Sequence, residues 1–524
     1  MSRPSNALTY DTFILSYGNA QTSFNRHHST AAVKGCGVKT AMILPRAKLL
    51  ASYWPVRLKA AIKLHGRLTG YIRGMAFSAQ QADEPWITAT PRVCLHDVPT
   101  TLKAGGLPPH SPVTLSASLI DEKGTEICSC AHYVTDGAGN VDVRTAESVG
   151  GSYEGVFPAG LLTTLAPAPH EFQSHRLFRR NTSLPWKIQV SVLNAHQPPG
   201  TKAEVMAKVE MERLLMGPGV RRLPVREGRV RGALYLPPGD GPFPGIVDMF
   251  GSIGGLMEFR SALLASRGFA SLSLAFFDYD DLPNTTENLD LSYFEEAVEV
   301  LLAVPEVIPD RCGAVANSRS GDILLSMATL LPAVKAVVGV SCSTIALGST
   351  LIYKGKIFKQ GYDMDQITFE KTNRGPWVGS LQQQFTTDNP AMIPVEEADE
   401  DTHFLLAVGD DDPWGFQHSL APFRERMLSH NRHNFETVLY PGTGHIIEPP
   451  YNAFNYQSFH RHIPTKEHLT KGIIFQWGGK PHSTCTAQED FWRRMRTFLM
   501  NHVQDESPWY QQYLTQYTPK KPPN

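Results

Sequence analysis

From Gly228 onward, apolar runs alternate with segments of helical periodicity. The runs at residues 230–236, 269–277 and 403–409 are nearly continuous in apolar residues. A strand of this kind is buried on both faces, and in proteins that situation arises in a mainly parallel sheet covered by helices on both sides. We therefore predict an α/β domain over residues 225–503. The other predicted strands are 245–250, 312–315, 333–341 and 435–440, and the predicted helices are 256–267, 293–304, 322–330 and 486–503.

The preceding part of the chain has a different pattern: short segments in which apolar and polar residues alternate are separated by turns. Residues 113–119, 127–133, 141–143 and 186–193 resemble strands, and Asp121-Glu122-Lys123-Gly124 and Asp136-Gly137 are turn sequences between them. Short strands at this spacing are typical of an antiparallel β-sandwich. We predict an N-terminal β-sandwich domain at residues 86–215, with a boundary near Met216-Gly217-Pro218-Gly219.

The first 85 residues form a basic leader. Between Thr12 and Ala82 there are ten Lys or Arg residues and no Asp or Glu. An acid-poor, Arg- and Ser-containing amphipathic segment has the composition of a mitochondrial transit peptide. The alternatives are a disordered basic tail and untranslated upstream sequence before an internal start such as Met42 or Met75. We expect a mitochondrial location, with the cytoplasm as the alternative, and a C-terminal tail at residues 504–524.

The overall charge and the cysteines exclude several other classes. The formal net charge is −1, which gives no reason to expect nucleic acid as a partner. The seven cysteines are odd in number and scattered, so they predict neither a disulfide framework nor a zinc site. No uninterrupted apolar stretch is long enough for a spanning helix. We expect no cofactor and no metal.

Ser318 lies at a junction between a predicted strand and a predicted helix, in the sequence Ala316-Asn317-Ser318-Arg319-Ser320-Gly321. A serine on such a turn with small neighbours is typical of the nucleophile elbow of α/β-hydrolases, whose pattern is G-x-S-x-G. Ala316 and Ser320 replace both glycines here, so the motif alone is weak. A helix N-cap is the simpler interpretation of a serine at this place.

The rest of a catalytic triad follows in the order that an α/β-hydrolase requires. The strand at 403–409 runs into Asp410-Asp411-Asp412, and the strand at 435–440 runs into a loop that contains His445. The carboxyl ends of parallel strands lie at one edge of a sheet, so these loops can meet Ser318. We predict Asp412 as the acid, with Asp411 as the reserve, and His445 as the base.

An oxyanion hole requires backbone N–H groups near the nucleophile. We predict the N–H of Arg319, directly after the serine, and that of Ser252, in the glycine-rich loop Gly251-Ser252-Ile253-Gly254-Gly255. A serine triad transfers acyl groups from esters, thioesters or amides. The segment 346–401 is too long for a simple connection and is predicted to be an insertion near the site.

Several further motifs make the chain resemble the type I acyl-CoA thioesterases, whose family includes bile acid-CoA:amino acid N-acyltransferase. They are GPFPGIVDMFG at 241–251, DLP at 281–283, YFEEA at 293–297, LSMA at 325–328 and GHIIEPPY at 444–451. The resemblance covers roughly residues 85–503. It implies an N-terminal β-sandwich followed by an α/β-hydrolase domain, with Ser318, Asp412 and His445 as the triad.

The same resemblance implies an acyl-CoA substrate. The thioesterases use serine where the N-acyltransferase typically uses cysteine, so Ser318 favours hydrolysis to fatty acid and CoA. Two alternatives remain: transfer of the acyl group to glycine or taurine, and acyl-CoA binding without catalysis. Chain-length preference, oligomeric state and the CoA-binding residues do not follow from the sequence.

Overall fold

The structure of the protein is a computed structural model that describes residues 84–363, 368–371, 377–460 and 473–504. The described residues fall within one compact unit. The predicted basic leader and C-terminal tail lie outside these ranges except at their inner ends. Within the described ranges, no helix is long and apolar enough to cross a membrane.

The N-terminal part of the described chain is almost entirely β-structure. Its elements are β1 Trp86–Thr90, β2 Val93–Leu95, β3 Thr101–Gly105, β4 Pro112–Ile120, β5 Glu126–Val134, β6 Val141–Asp142, β7 Ser148–Val149, β8 Glu154–Gly155, α1 Gly160–Thr163, β9 Ala166–Pro167, β10 Trp186–Asn194 and β11 Val205–Leu214. A three-stranded sheet has the order β1-β3-β6 and a six-stranded sheet the order β2-β11-β10-β4-β5-β9. All pairs in them are antiparallel except β11–β2.

The two sheets share one hydrophobic core. Ile87 and Leu102 of the smaller sheet and Leu115 and Val190 of the larger one belong to the same buried cluster. Along β4 and β10, alternate side chains enter this core, because successive residues of a strand point to opposite faces. The predicted sandwich is therefore present, with the strands near their predicted positions.

The C-terminal part alternates strands and helices. Its elements are β12 Arg221–Glu227, β13 Val230–Leu236, β14 Phe243–Asp248, α2 Phe259–Ala265, β15 Ala270–Ala275, β16 Asn288–Asp290, α3 Ser292–Leu302, β17 Val307–Asn317, α4 Gly321–Leu330, β18 Val334–Val340, β19 Thr350–Tyr353, β20 Lys356–Lys359, β21 Thr368–Lys371, β22 Trp377–Ser380, β23 His403–Gly409, α5 Leu420–Ser429, β24 Phe435–Tyr440, β25 Gln457–His460, β26 Ile473–Gln476 and α6 Pro481–Val503. Short 3₁₀ turns lie at Ser318–Ser320, Gln382–Gln384, Val395–Glu397 and Phe416–Ser419.

Eight of these strands form one sheet in the order β12-β13-β15-β14-β17-β18-β23-β24. The first three are antiparallel neighbours and the others pair in parallel. Side chains on its two faces enter two separate buried clusters, as Ala314 and Val315 of β17 do. Residues of α3, α4 and α5 pack in one cluster and residues of α2 and α6 in the other. The predicted α/β class, with an α/β-hydrolase domain after an antiparallel β-sandwich, is confirmed.

The start of α6 differs from the prediction. The predicted helix began at residue 486, yet the helix begins earlier, at Pro481 after Lys480. Thr486 lies inside the helix, where its hydroxyl donates to the carbonyl of His482 at 3.1 Å. Proline at the first helical position, whose fixed φ suits a helix start, was the better signal.

Candidate active site

Ser318 occupies a sharp turn between β17 and α4. Its φ is +61°, in the left-handed region that residues other than glycine seldom adopt. Asn317 before it is still extended, with φ −137° and ψ 153°. The backbone therefore reverses direction at the serine itself, which is the geometry of a nucleophile elbow.

Two glycines at the elbow, Gly321 and Gly251, lie outside the G-x-S-x-G pattern, and neighbouring atoms leave no room for a side chain at either. A Cβ added to Gly321 would lie 2.5 Å from Cys342 Cβ, and one added to Gly251 would lie 2.8 Å from Asn317 O and 2.9 Å from Ser318 Cβ. Ala316 is fully buried with its side chain accommodated, and the Ser320 hydroxyl donates to Asn317 O at 2.9 Å. The elbow therefore tolerates alanine and serine where glycine is usual.

His445 joins Ser318 to Asp412. The Ser318 hydroxyl lies 2.9 Å from His445 Nε2, and His445 Nδ1 lies 2.7 Å from Asp412 Oδ2. Asp412 follows β23 and His445 follows β24, so adjacent parallel strands deliver the acid and the base to one edge of the sheet. Asp412 is buried, and its second carboxylate oxygen accepts the Trp414 backbone N–H at 2.9 Å.

The neighbouring aspartates have other partners. Asp411, the reserve acid of the sequence prediction, accepts the Gly479 N–H at 2.9 Å, and Asp410 accepts the Gly442 N–H at 2.6 Å. Each of these two carboxylates fixes a loop. Only Asp412, among the three consecutive aspartates, contacts His445 in the described structure.

The two predicted oxyanion residues line the same small cavity as Ser318 and His445. The loop after β14 that carries Ser252 is pressed against the elbow at Gly251, where an added Cβ would come within 3.3 Å of Arg319 N. The structure thus brings four of the five predicted site residues together around one space, and the fifth, Asp412, contacts His445.

The side chain of Arg319 donates hydrogen bonds to the insertion. Its Nε donates to the Leu347 carbonyl at 2.9 Å, and its terminal nitrogens donate to the hydroxyls of Thr286 and Ser349. Desolvation by burial lowers the pKa of this guanidinium. The insertion that begins near residue 346 is therefore attached to the turn that carries Ser318.

An aromatic wall around His445 was not predicted from the sequence. The Trp477 ring is stacked on His445 with a centroid distance of 5.4 Å, and Phe416 lies at 5.1 Å. The backbone carbonyl of Trp477 also accepts the His445 backbone N–H at 2.7 Å. The Trp414 ring lies at 6.5 Å from the same histidine. Trp477 left no local sequence signal, because more than thirty residues separate it from the histidine.

A larger cavity of about 420 Å³ opens from Ser318 and His445. Its walls include the glycine-rich loop 251–255 and, from the N-terminal part of the chain, Lys123, Arg176, Phe178 and Arg180. The β-sandwich therefore contributes to the walls around the nucleophile, which the sequence did not predict.

The described residues contain no group of three His, Cys, Asp or Glu side chains placed to hold a metal ion. Cys342, a thiol next to the elbow, is buried, and its Sγ lies 3.3 Å from Ala316 O. Desolvation by burial raises the pKa of this thiol to about 12, so it is a core residue. Serine acyl transfer is the chemistry that the remaining groups can perform.

Known proteins match both parts of the chain. Residues 97–227 match the family described as "Acyl-CoA thioester hydrolase/BAAT N-terminal region", and residues 289–505 match "BAAT / Acyl-CoA thioester hydrolase C terminal". Acyl-coenzyme A thioesterase 1 of Homo sapiens is 41% identical over 414 residues, which is 78% of this chain and 94% of that protein. The human "Acyl-coenzyme A thioesterase 2, mitochondrial" is 40% identical over 414 residues, 78% of this chain and 82% of that protein. The mouse "Acyl-coenzyme A thioesterase 5" is 38% identical over 410 residues, 78% of this chain and 94% of that protein.

Proposed function

This chain belongs to the acyl-CoA thioester hydrolase/BAAT family of hydrolases, and on that premise we propose that it cleaves acyl-CoA through an acyl-serine intermediate on Ser318. The observation that carries the proposal is the chain of contacts from Ser318 through His445 to Asp412. Family membership supports hydrolysis of a thioester, and these contacts favour serine as the group that accepts the acyl chain.

The first half of the proposed reaction forms the acyl-enzyme. His445 Nε2 takes the proton of the Ser318 hydroxyl while the serine oxygen bonds to the thioester carbonyl carbon. The carbonyl oxygen becomes an anion that the backbone N–H groups of Arg319 and Ser252 stabilise. When the carbonyl re-forms, the carbon–sulfur bond breaks and the CoA thiolate takes the proton from His445.

The second half releases the fatty acid. A water molecule gives a proton to His445 Nε2 and attacks the acyl-serine, which passes through a second oxyanion at the same N–H groups. The ester bond then breaks, the proton returns to the serine oxygen, and the acid leaves. Asp412 accepts the Nδ1–H of His445 throughout and stabilises the imidazolium that forms in each half.

The test is CoA release from hexadecanoyl-CoA, followed with a thiol reagent. Ser318→Ala is expected to lower kcat by about 10³-fold or more, and Asp412→Ala by about 10²–10⁴-fold. Asp410→Ala is the matched control, because this nearby carboxylate contacts a loop N–H and not the histidine; it should keep activity within a few-fold. Equal CoA release by wild type and Ser318→Ala would refute the proposal.

Two other outcomes separate the alternatives. If glycine or taurine conjugates appear in the mass spectrum and grow with amine concentration while free acid stays minor, the protein is an acyltransferase. If acyl-CoA binds but a fluorophosphonate probe leaves Ser318 unlabelled, the protein binds acyl-CoA without catalysis. Labelling of the wild type that is lost in Ser318→Ala supports the acyl-serine mechanism.

We also propose that the protein acts in mitochondria. The acid-poor basic composition between Thr12 and Ala82 supports this, and one human relative is named mitochondrial. Subcellular fractionation of the full chain with a C-terminal tag tests the proposal. Recovery in the cytosol alone would contradict it.

A further inference from the structure

We propose that Lys123 and Arg180, two cations of the N-terminal β-sandwich part, bind the phosphate groups of CoA at the outer end of the catalytic cavity. This inference rests on the proposed acyl-CoA substrate and adds the residues that recognise its headgroup. It also gives the N-terminal part a direct role in substrate binding.

The two cations line the same cavity as Ser318 and His445. Both residues are exposed, so their charged ends are accessible to a ligand that enters from solvent. A guanidinium nitrogen of Arg180 would lie 3.5 Å from a Cβ added to Gly255. Arg180 therefore lies against the same glycine-rich loop that approaches the nucleophile at Gly251.

The other charges on the cavity wall already have partners. Arg176 is paired with Glu448, and Arg260 is paired with Asp248 at 2.5 Å. Asp278 also has an interaction of its own. Across the described ranges, no carboxylate is ion-paired with the side chain of Lys123 or Arg180. The cavity thus has an excess of positive charge at these two residues.

The backbone segments that carry the two cations are connected through one carboxylate, that of Glu122. Glu122 accepts the backbone N–H groups of Arg180 at 2.9 Å and of Asn181 at 3.0 Å. The turn that carries Lys123 is fixed in addition by Asp121, which accepts the Lys123 N–H at 2.8 Å. The two residues are thereby presented on one wall although 57 positions separate them in the sequence.

The chemistry of CoA fits this arrangement. Its thioester end is neutral and reacts at Ser318, whereas its other end carries a diphosphate and a 3′-phosphate. Arginine binds phosphate oxygens through paired N–H donors, and lysine adds a mobile point charge. A substrate whose thioester lies at Ser318 can bring its phosphates to Lys123 and Arg180, because all three residues line one cavity.

The experiment compares an acyl-CoA with the same acyl chain on pantetheine, which lacks the phosphates. Lys123→Glu and Arg180→Glu are each expected to raise KM for acyl-CoA about tenfold at low ionic strength, with less effect in ~0.5 M salt because salt screens the charges. Neither change should alter kcat for acyl-CoA, and neither should alter kcat/KM for the pantetheine thioester. Lys202→Glu, at an exposed position outside the cavity wall, is the matched control and should behave as wild type.

Two results would overturn the inference: no change in KM for acyl-CoA, or equal losses with acyl-CoA and with the pantetheine thioester. Titration calorimetry with CoA itself gives a readout that does not need turnover. Weaker CoA binding by Arg180→Glu than by wild type and Lys202→Glu supports the headgroup site, even if the wild type hydrolyses no thioester. Equal CoA binding by all three proteins refutes it, whether or not the thioesterase proposal holds.

Discussion

Ser318 combines an unfavourable backbone conformation with the hydroxyl that we propose as the nucleophile. Its positive φ costs a residue with a Cβ on the order of 1–2 kcal/mol. The turn is held in place by its surroundings, since the Ser318 carbonyl accepts the Ser343 N–H at 3.1 Å. The strain therefore presents the hydroxyl to His445 at the expense of stability.

This strain predicts that the glycine and alanine variants of Ser318 have the opposite order of stability to those of Ser326. We expect Ser318→Gly to be more stable than Ser318→Ala by about 0.5–1 kcal/mol, since glycine adopts positive φ without a Cβ clash. At Ser326, inside α4, the glycine variant should be about 1 kcal/mol less stable than the alanine variant. Urea unfolding of the four variants measures both differences. The same order at both positions would show that Ser318 is not strained.

At the scale of elements, the turn and helix around the nucleophile are tied to the insertion through buried polar groups. Asp322, in the first turn of α4, accepts the Leu347 N–H at 2.9 Å and the Ile323 N–H at 2.8 Å. Desolvation by burial raises the pKa of its carboxyl to about 6, although the charge of Arg319 opposes this shift. The ionised carboxylate is therefore a destabilising group at neutral pH.

The raised pKa predicts a pH-dependent difference between the wild type and Asp322→Asn. Below about pH 4 the carboxyl is protonated in both the folded and the unfolded state. The stabilisation that the neutral carboxyl provides is then fully present. Between about pH 4 and 6 the unfolded chain loses the proton first, so the wild type should lose roughly 2–3 kcal/mol relative to the variant. Urea unfolding at a series of pH values checks this. A difference that stays constant or grows in favour of the wild type would contradict it.

The sequence predicted elements well where the signal is local. β23 and β24 occur at their predicted bounds, because each is a compact apolar run with turn residues after it. The sheet β21-β22-β26-β25 was missed, since its four-residue strands are too short to show a periodic pattern and its middle pair, β22 and β26, comes from segments that are far apart in the chain. Distance along the chain also hid Trp477 from the predicted site, whereas Asp412 and His445 were found from their places after strands. Distant pairing depends on the complete fold and leaves no local pattern.

At the scale of the whole molecule, the N-terminal and C-terminal parts share buried polar contacts. Asp97, just after β2, accepts Arg267 Nε at 2.8 Å and the Trp492 indole N–H at 2.7 Å. Arg267 lies in the C-terminal part, as does Trp492 of α6, and Asp97 is buried. Tyr451, which comes from the C-terminal part, packs in the hydrophobic cluster of the sandwich. We propose that the predicted domains 86–215 and 225–503 are separate in architecture and depend on each other for stability.

This proposal predicts that one substitution at Asp97 destabilises both parts together. Asp97→Asn removes the charge of a buried carboxylate that accepts hydrogen bonds from both Arg267 and Trp492, and we expect a loss of about 2–3 kcal/mol. Asp142→Asn, which removes more exposed pairs with Lys103 and Arg144, should cost about 1 kcal/mol and serves as the control. Hydrogen exchange during urea unfolding follows β10 of the sandwich and β17 of the hydrolase sheet separately. In Asp97→Asn both strands should lose protection at the same lowered urea concentration. Loss of protection in β10 while β17 unfolds as in the wild type would show that the two parts are stable independently, because the C-terminal sheet would then not need the contacts that Asp97 makes.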